Sequence, residues 1–202
     1  MIKLENIEIL RGNKQIFTNY NQSFTSPGLN LITGKNGSGK TTLIKMMAGF
    51  IIPNKGTIKC QFNSSYEWLQ NHIYIGSQNS LSNELSIEEN IKMWLGIRGW
   101  IFSKSEIDTC LRDINIFNYK NLLISQCSDG IKRKTDICKL FFSFKSKIKF
   151  WLLDEPTNNL DEEGKKAFLS LISRFLNANG TIIMSSHDNN GFYHKINKIN
   201  LF

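Results

Sequence analysis

The run Gly34-Lys35-Asn36-Gly37-Ser38-Gly39-Lys40-Thr41 carries the clearest chemistry in the chain. It fits a glycine, four residues, then Gly-Lys-Ser/Thr, a pattern that wraps phosphates. The glycines let the backbone curl until its N–H groups point inward at phosphate oxygens. A helix opening near Thr41 and Thr42 adds the positive end of its dipole. In such a loop Lys40 would set a cation against the β- and γ-phosphates, and the Thr41 hydroxyl would ligate Mg²⁺. A second signal is Asp154-Glu155, delivered by the apolar run Phe150-Trp151-Leu152-Leu153. Open α/β sheets place their ligands at the carboxyl ends of strands. There Asp154 would hold the metal through water, and Glu155 would polarise an attacking water as general base. A strand end capped by solvated acids is common; the glycine loop upstream is what turns this pair into a hydrolytic one.

These residues need a scaffold. Leu29-Asn30-Leu31-Ile32 reads as a buried strand running into the glycine loop, and 42–50 as a helix with Leu43, Met46, Met47 and Phe50 at helical spacing. Pro53-Asn54-Lys55-Gly56 reads as a turn. Ile73-Tyr74-Ile75, Phe150 to Leu153, and Thr181 to Met184 are further short apolar strands, and Leu169, Ile172, Phe175 and Leu176 stripe a helix that Gly180 ends. Ser86 with Glu89 forms a capping box, and Ser103 caps a second helix carrying Ile107, Leu111 and Ile114. Apolar strands alternating with helices predict a parallel sheet covered on both faces. The stretch 80–143 reads as helices inserted into that sheet, so the division expected is a single domain over 1–202, with a core of 1–79 and 144–202.

Taken together, Asp154-Glu155-Pro156-Thr157, Asn158-Asn159-Leu160-Asp161 and the strand ending Ser185-Ser186-His187 resemble the Walker B, D-loop and H-loop run of ABC ATPases. Ser128-Asp129-Gly130 stands where that family has its LSGGQ signature, and Gln78 fits the Q-loop. The motifs span essentially the whole chain in the family's order. The resemblance implies an α/β fold: a P-loop NTPase (RecA-like) parallel core, an N-terminal antiparallel β part and an inserted α-helical subdomain. It also implies ATP and Mg²⁺ as cofactors. Gln78 would sense the γ-phosphate and the metal, and His187 would contact the γ-phosphate and Glu155. Ser128 and Gly130 would reach the γ-phosphate bound by an opposite subunit, and Asp161 would lie at that interface. A second ABC subunit, most simply a copy of the same chain, is therefore an expected partner.

Two departures from the family pattern stand out, with a basic run between them. The signature reads Cys127-Ser128-Asp129-Gly130-Ile131, with Cys for Leu and Ile for Gln, which predicts a working but slower site. Lys132-Arg133-Lys134 follows directly; it either adds positive potential at the helix start or is a solvated face. The adenine-stacking aromatic is replaced by Arg11, before Gly12. A guanidinium plane can stack on a base, so Arg11 is the substitute, with Phe17 second.

Tyr74 to Leu81, Glu84 to Ile91 with Trp94, the early Arg11-Gly12 and the overall length are similar to the haem-exporter ATP-binding subunits of cytochrome c maturation. That similarity implies integral membrane transporter subunits as partners, and a place on the cytoplasmic face of the inner membrane, or the matrix side in an organelle. It implies a motor for haem release or transport that binds no haem itself; the histidines are His72, His187 and His194, with no CxxCH. The motor of another small ABC transporter is the alternative. A soluble, nucleic-acid-associated ABC ATPase is a third, invited by the net charge of +8. The basic residues are scattered rather than blocked, so no direct nucleic-acid contact is expected. Cys60, Cys110, Cys127 and Cys138 form no CxxC pair, which points to neither zinc nor a disulfide framework.

Overall fold

The computed structural model describes residues 1–62, 64–146, 148–186 and 195–201. Two sheets build the molecule. In the first, β1 (Ile2–Arg11) pairs antiparallel with β2 (Lys14–Phe24) across the Gly12-Asn13 turn. The second sheet is wholly parallel and starts with β3 (Gly28–Gly34), which feeds helix α1 (Lys40–Met47). The chain then returns to the first sheet as β4 (Lys55–Lys59), antiparallel to β1. A short helix α2 (Ser65–Asn71) leads to β5 (His72–Ile75) of the parallel sheet. Between β5 and the next parallel strand lie α3 (Ile87–Ile97), α4 (Lys104–Asp113) and α5 (Asp129–Phe142). Strand β6 (Phe150–Asp154), helix α6 (Glu162–Asn177), β7 (Thr181–Ser185) and β8 (Ile196–Leu201) complete the described chain.

The parallel sheet runs β5-β6-β7-β3-β8. Its inner strands β6, β7 and β3 are buried on both faces, and alternation sorts the two sides. Phe150, Leu152, Ile183 and Ile32 face α1 and the antiparallel sheet. Trp151, Leu153, Ile182, Met184 and Leu31 face α5 and α6. On that second side Trp151 stacks on Phe175, with ring centroids 3.9 Å apart and planes 7° from parallel. A third apolar cluster joins α3, α4 and α5 through Ile87, Ile91, Ile107 and Leu111. Helix α5 serves both of the last two clusters: Ile137 and Leu140 pack toward the sheet, Cys138 and Phe142 toward α3 and α4.

The fold class matches the expectation from sequence. The predicted capping box of Ser86 with Glu89 forms, and Ser103 caps its helix as predicted, in a capping box completed by Glu106. Two boundaries moved. The first helix starts at Lys40 rather than Thr42 and ends before Gly49, so Phe50 stands outside it and is 65% exposed. The turn predicted at 53–56 is shorter, because Lys55 already belongs to β4. Register fixes what happens at the carboxyl edge of the parallel sheet. Asp154 of β6 pairs with Ser185 of β7, and Ser185 pairs with Ile32 of β3. Strands lie about 4.8 Å apart, so the acids ending β6 and the loop leaving β3 emerge at one edge, two strands apart. Among the described residues no helix is long and apolar enough to cross a membrane.

Candidate active site

The glycine loop leaves β3 at Gly34 and enters α1 at Lys40. Ser38 N–H donates to Lys35 O at 3.1 Å and tightens the turn. Gly39 then sits at φ 99°, and a Cβ there would lie 2.8 Å from Phe17 Cζ, so both the conformation and the packing require glycine. Lys40 folds back over its own loop. Its ammonium donates to Gly34 O at 2.8 Å and Lys35 O at 3.1 Å, and the side chain is buried. Lysine carries three N–H donors, so one remains for a ligand beyond these two carbonyls.

Asn36, Gly37, Gly39, Lys40, Thr41 and Thr42 line a cavity of ≈ 510 Å³. Arg11, Lys14 and Ile16 of the first hairpin form a second wall, and Glu155 closes the third. Three cationic side chains against one acid give the pocket the charge an anion requires. Gly34, Lys35 and Ser38 shape the loop without lining the cavity. Arg11 also lines an adjoining cavity of ≈ 430 Å³, and there the structure puts Gln78, exposed, beside Tyr74.

Asp154 is fully buried at the end of β6. Ser185 Oγ donates to its Oδ1 at 2.8 Å, and the same hydroxyl accepts from Glu155 N–H at 2.9 Å. Oδ2 of Asp154 has no hydrogen-bond partner among the described residues. Burial, and after it the Asp154 charge, push the nearby Tyr74 phenol up to about 12. Glu155 holds φ 47°, a left-handed conformation rare for a residue with a side chain. Asn158 Nδ2 donates to its Oε2 at 2.7 Å.

Ser128, Gly130 and Asp161 lie apart from the Lys40 cavity. Ser128 caps α5, its Oγ accepting from Ile131 N–H at 3.3 Å. A Cβ on Gly130 would meet Asn159 O at 3.0 Å, so the start of α5 rests on the loop that follows Glu155. Asp161 caps α6, accepting from Gly164 N–H at 2.8 Å and from Lys134 Nζ at 2.9 Å. It lines a separate cleft of ≈ 630 Å³. Cys127 is buried among α3 and α4 side chains and fills an apolar position. His187 lies outside the described residues.

The basic run after the signature is a correction. Arg133 is 2% exposed and is taken up by main-chain carbonyls, and Lys134 is buried as well, its ammonium reaching the Asp161 carboxylate, so neither belongs to a solvated face. Sequence reasoning also missed Lys14, Ile16 and Ser185. Lys14 carried a faint signal in its place across the turn from Arg11; Ser185 carried none, since its contacts depend on strand order.

A family model described as ABC transporter matches residues 17–158. The cytochrome c biogenesis ATP-binding export protein CcmA of Wolbachia pipientis wMel is 31% identical over 191 residues, covering 93% of this chain and 89% of that protein. The same-named proteins of Brucella abortus (strain 2308) and Vibrio vulnificus (strain YJ016) are 28% and 27% identical, covering 92% and 93% of this chain and 85% and 92% of theirs. Among solved structures, a putative ABC transporter ATP-binding protein from Pyrococcus furiosus superposes with a TM-score of 0.80 at 22% identity, covering 99% of this chain and 96% of that one. A dimeric ATP-binding cassette in a post-hydrolysis state with ADP and Pi gives 0.79 at 20% identity, covering 94% and 89%. These structures share the fold.

Proposed function

Because this chain belongs to the ABC transporter family of ATP-binding domains, whose members hydrolyse ATP, we propose that it is the motor of a cytochrome c biogenesis export complex, with its hydrolytic centre between the Lys40 loop and Glu155. The carrying observation is that the phosphate-type loop and Glu155, the residue that follows β6, line one cavity. In this reading the loop N–H groups and Lys40 bind the triphosphate, Arg11 lies against the base, and Glu155 takes the proton of the attacking water. Gln78 and His187 complete the γ-phosphate end.

The residues present suit Mg²⁺. Asp154 Oδ2 is a buried carboxylate oxygen with no hydrogen-bond partner among the described residues, and Thr41 lines the cavity with a hydroxyl. Hard oxygen donors of this kind fit magnesium, which keeps several waters when protein-bound. When bound, the ion neutralises charge on the phosphates. Asp154 and Thr41 would hold it, with Gln78 as a further ligand.

Ser128, Gly130 and Asp161 stand away from the Lys40 cavity of their own chain, which supports a head-to-tail pairing that completes each site with a second subunit, most simply a copy. The curated relatives named for cytochrome c biogenesis export support membrane-embedded partner subunits that hold this chain at the cytoplasmic face. The division into a core of 1–79 and 144–202 and a helical subdomain of 80–143 belongs to the same proposal; α5 touching both apolar clusters supports it as the joint. The deciding experiment is purification of Glu155→Gln together with its membrane partners. The expected result is an ATP-trapped dimer with hydrolysis cut to a residual trace, in complex with subunits of the cytochrome c maturation system. Undiminished turnover removes Glu155 as the base, and co-purification with unrelated transporter subunits removes the biogenesis reading.

A further inference from the structure

Arg133 stands in the second turn of α5, and its guanidinium is taken up by main-chain carbonyls. Nε donates to Pro156 O at 2.9 Å, and Nη2 to Glu155 O at 2.8 Å and Asp154 O at 3.3 Å. Nη1 donates to Gly76 O at 2.6 Å. The nearest acid, Asp136, is 3.8 Å from Nη1, and its other oxygen already accepts from Lys139 and Ser80. The ion pair is loose and the carbonyls hold the group.

The pattern is specific. The peptide unit between Asp154 and Glu155 is gripped at both ends: its C=O accepts from Arg133, and its N–H donates to Ser185. The next two carbonyls along the chain also accept from Arg133. These are the peptides that keep Glu155 at φ 47°, a conformation that persists only where its surroundings over-determine it. The fourth carbonyl belongs to Gly76, two residues before Gln78. The same guanidinium therefore touches the strand end that carries Glu155 and the segment that carries Gln78. Only a planar fork with several fixed donors can do this; a lysine keeps the charge but has a single nitrogen.

We infer that Arg133 is a positioning residue for ATP hydrolysis, fixing the backbone of Glu155 and linking it to the 76–80 segment. This rests on the reading of Glu155 as general base. Two groups acting through one another give non-additive losses, whereas a generally destabilising change costs the same in any background.

The test measures ATP affinity and single-turnover hydrolysis, normalised to bound nucleotide, for Arg133→Met and Arg133→Lys in the full chain, each with Glu155 and with Glu155→Gln. With Glu155 present, Arg133→Met is expected to lower the rate about thirtyfold while ATP affinity stays within about threefold, and Arg133→Lys to recover part of that loss. In the Glu155→Gln background the same substitutions are expected to change the residual rate less than about twofold. Equal losses in both backgrounds, or loss of affinity matching loss of rate, would overturn the inference. Should Arg133→Met not fold, Arg133→Lys carries the same comparison. A normal rate in an Arg133 variant beside an inactive Glu155→Gln refutes the inference alone; wild-type turnover in Glu155→Gln refutes the general-base reading and the inference with it.

Discussion

Ser185 donates its hydroxyl proton to Asp154 Oδ1 at 2.8 Å, and both residues are fully buried. The hydroxyl oxygen simultaneously accepts from Glu155 N–H, so one small side chain on β7 orients the last acid of β6 and the acid that follows it. Replacing it by alanine leaves a buried carboxylate oxygen and a backbone N–H short of partners. An unsatisfied buried group costs about 1–3 kcal/mol, and Ser185→Ala is expected to lose that much in denaturant unfolding. Hydrolysis should fall roughly tenfold with ATP affinity nearly unchanged, since the Lys40 loop is untouched. Steady-state kinetics check it, and a rise in KM with kcat intact would contradict the assignment.

The Lys40 loop makes the opposite prediction. Lys40→Ala removes the cation that the cavity presents from its glycine-loop wall, and ATP affinity should fall at least about a hundredfold, ~3 kcal/mol. Gly39→Ala should weaken binding by a different route. Its left-handed φ costs a residue with a Cβ about 1–2 kcal/mol, and the new methyl meets the Phe17 ring. Nucleotide-induced shifts in melting temperature report both. A full-sized ATP shift in Lys40→Ala would exclude this loop as the phosphate cradle.

What could be read from sequence followed from contiguity and burial. Strand β6 was legible because Phe150 to Leu153 are apolar without exception, as a strand covered on both faces must be. The glycine loop was legible because its chemistry sits in one unbroken run. Strand β2 was not, since Phe17 and Phe24 are its only buried residues and polar side chains fill most of the rest. Helix α2 buries none of its residues and so shows no apolar stripe. At the site, Ser185 and Asp154 are joined only by the β6-β7 register, and Arg133 was masked by the lysines on either side. Both act across strands or helices far apart in the chain, which no local pattern encodes.

The bridge from Lys134 to Asp161 ties α5 to the first turn of α6. The Lys134 ammonium, and then the Gly164 N–H, hold the Asp161 carboxyl below the usual carboxylate range. With the folded value depressed, the stabilisation is complete above the ordinary carboxylate range near pH 4 and disappears as pH falls through the lowered value. Asp161→Ala should cost about 1 kcal/mol through the lost helix cap, and less of it at pH 3 than at pH 7. Urea midpoints at the two pH values measure this; equal losses would show that the charge plays no part.

His72 opens β5, where its ring stacks on Trp68 with centroids 4.6 Å apart and its Nδ1–H donates to Trp68 O at 2.8 Å. Burial pulls its pKa from 6.5 down to about 4, an effect that the hydrogen bond to Trp68 opposes and the Arg98 charge assists. The imidazole is therefore neutral in the folded chain where the unfolded chain already binds a proton. Between about pH 6.5 and 4 the unfolded state takes up more protons, so stability drops on acidification through that window and is constant, as far as this group goes, on either side. The loss is at most about 3 kcal/mol. Carboxylates titrate near the lower end, so the measurement is a difference: urea unfolding of the natural chain and of His72→Gln, compared at pH 7 and pH 5. The glutamine variant should start less stable at pH 7 and lose less on acidification, bringing the two curves together. Curves that stay parallel would mean that this histidine is protonated in the folded protein and that its burial does not control its charge.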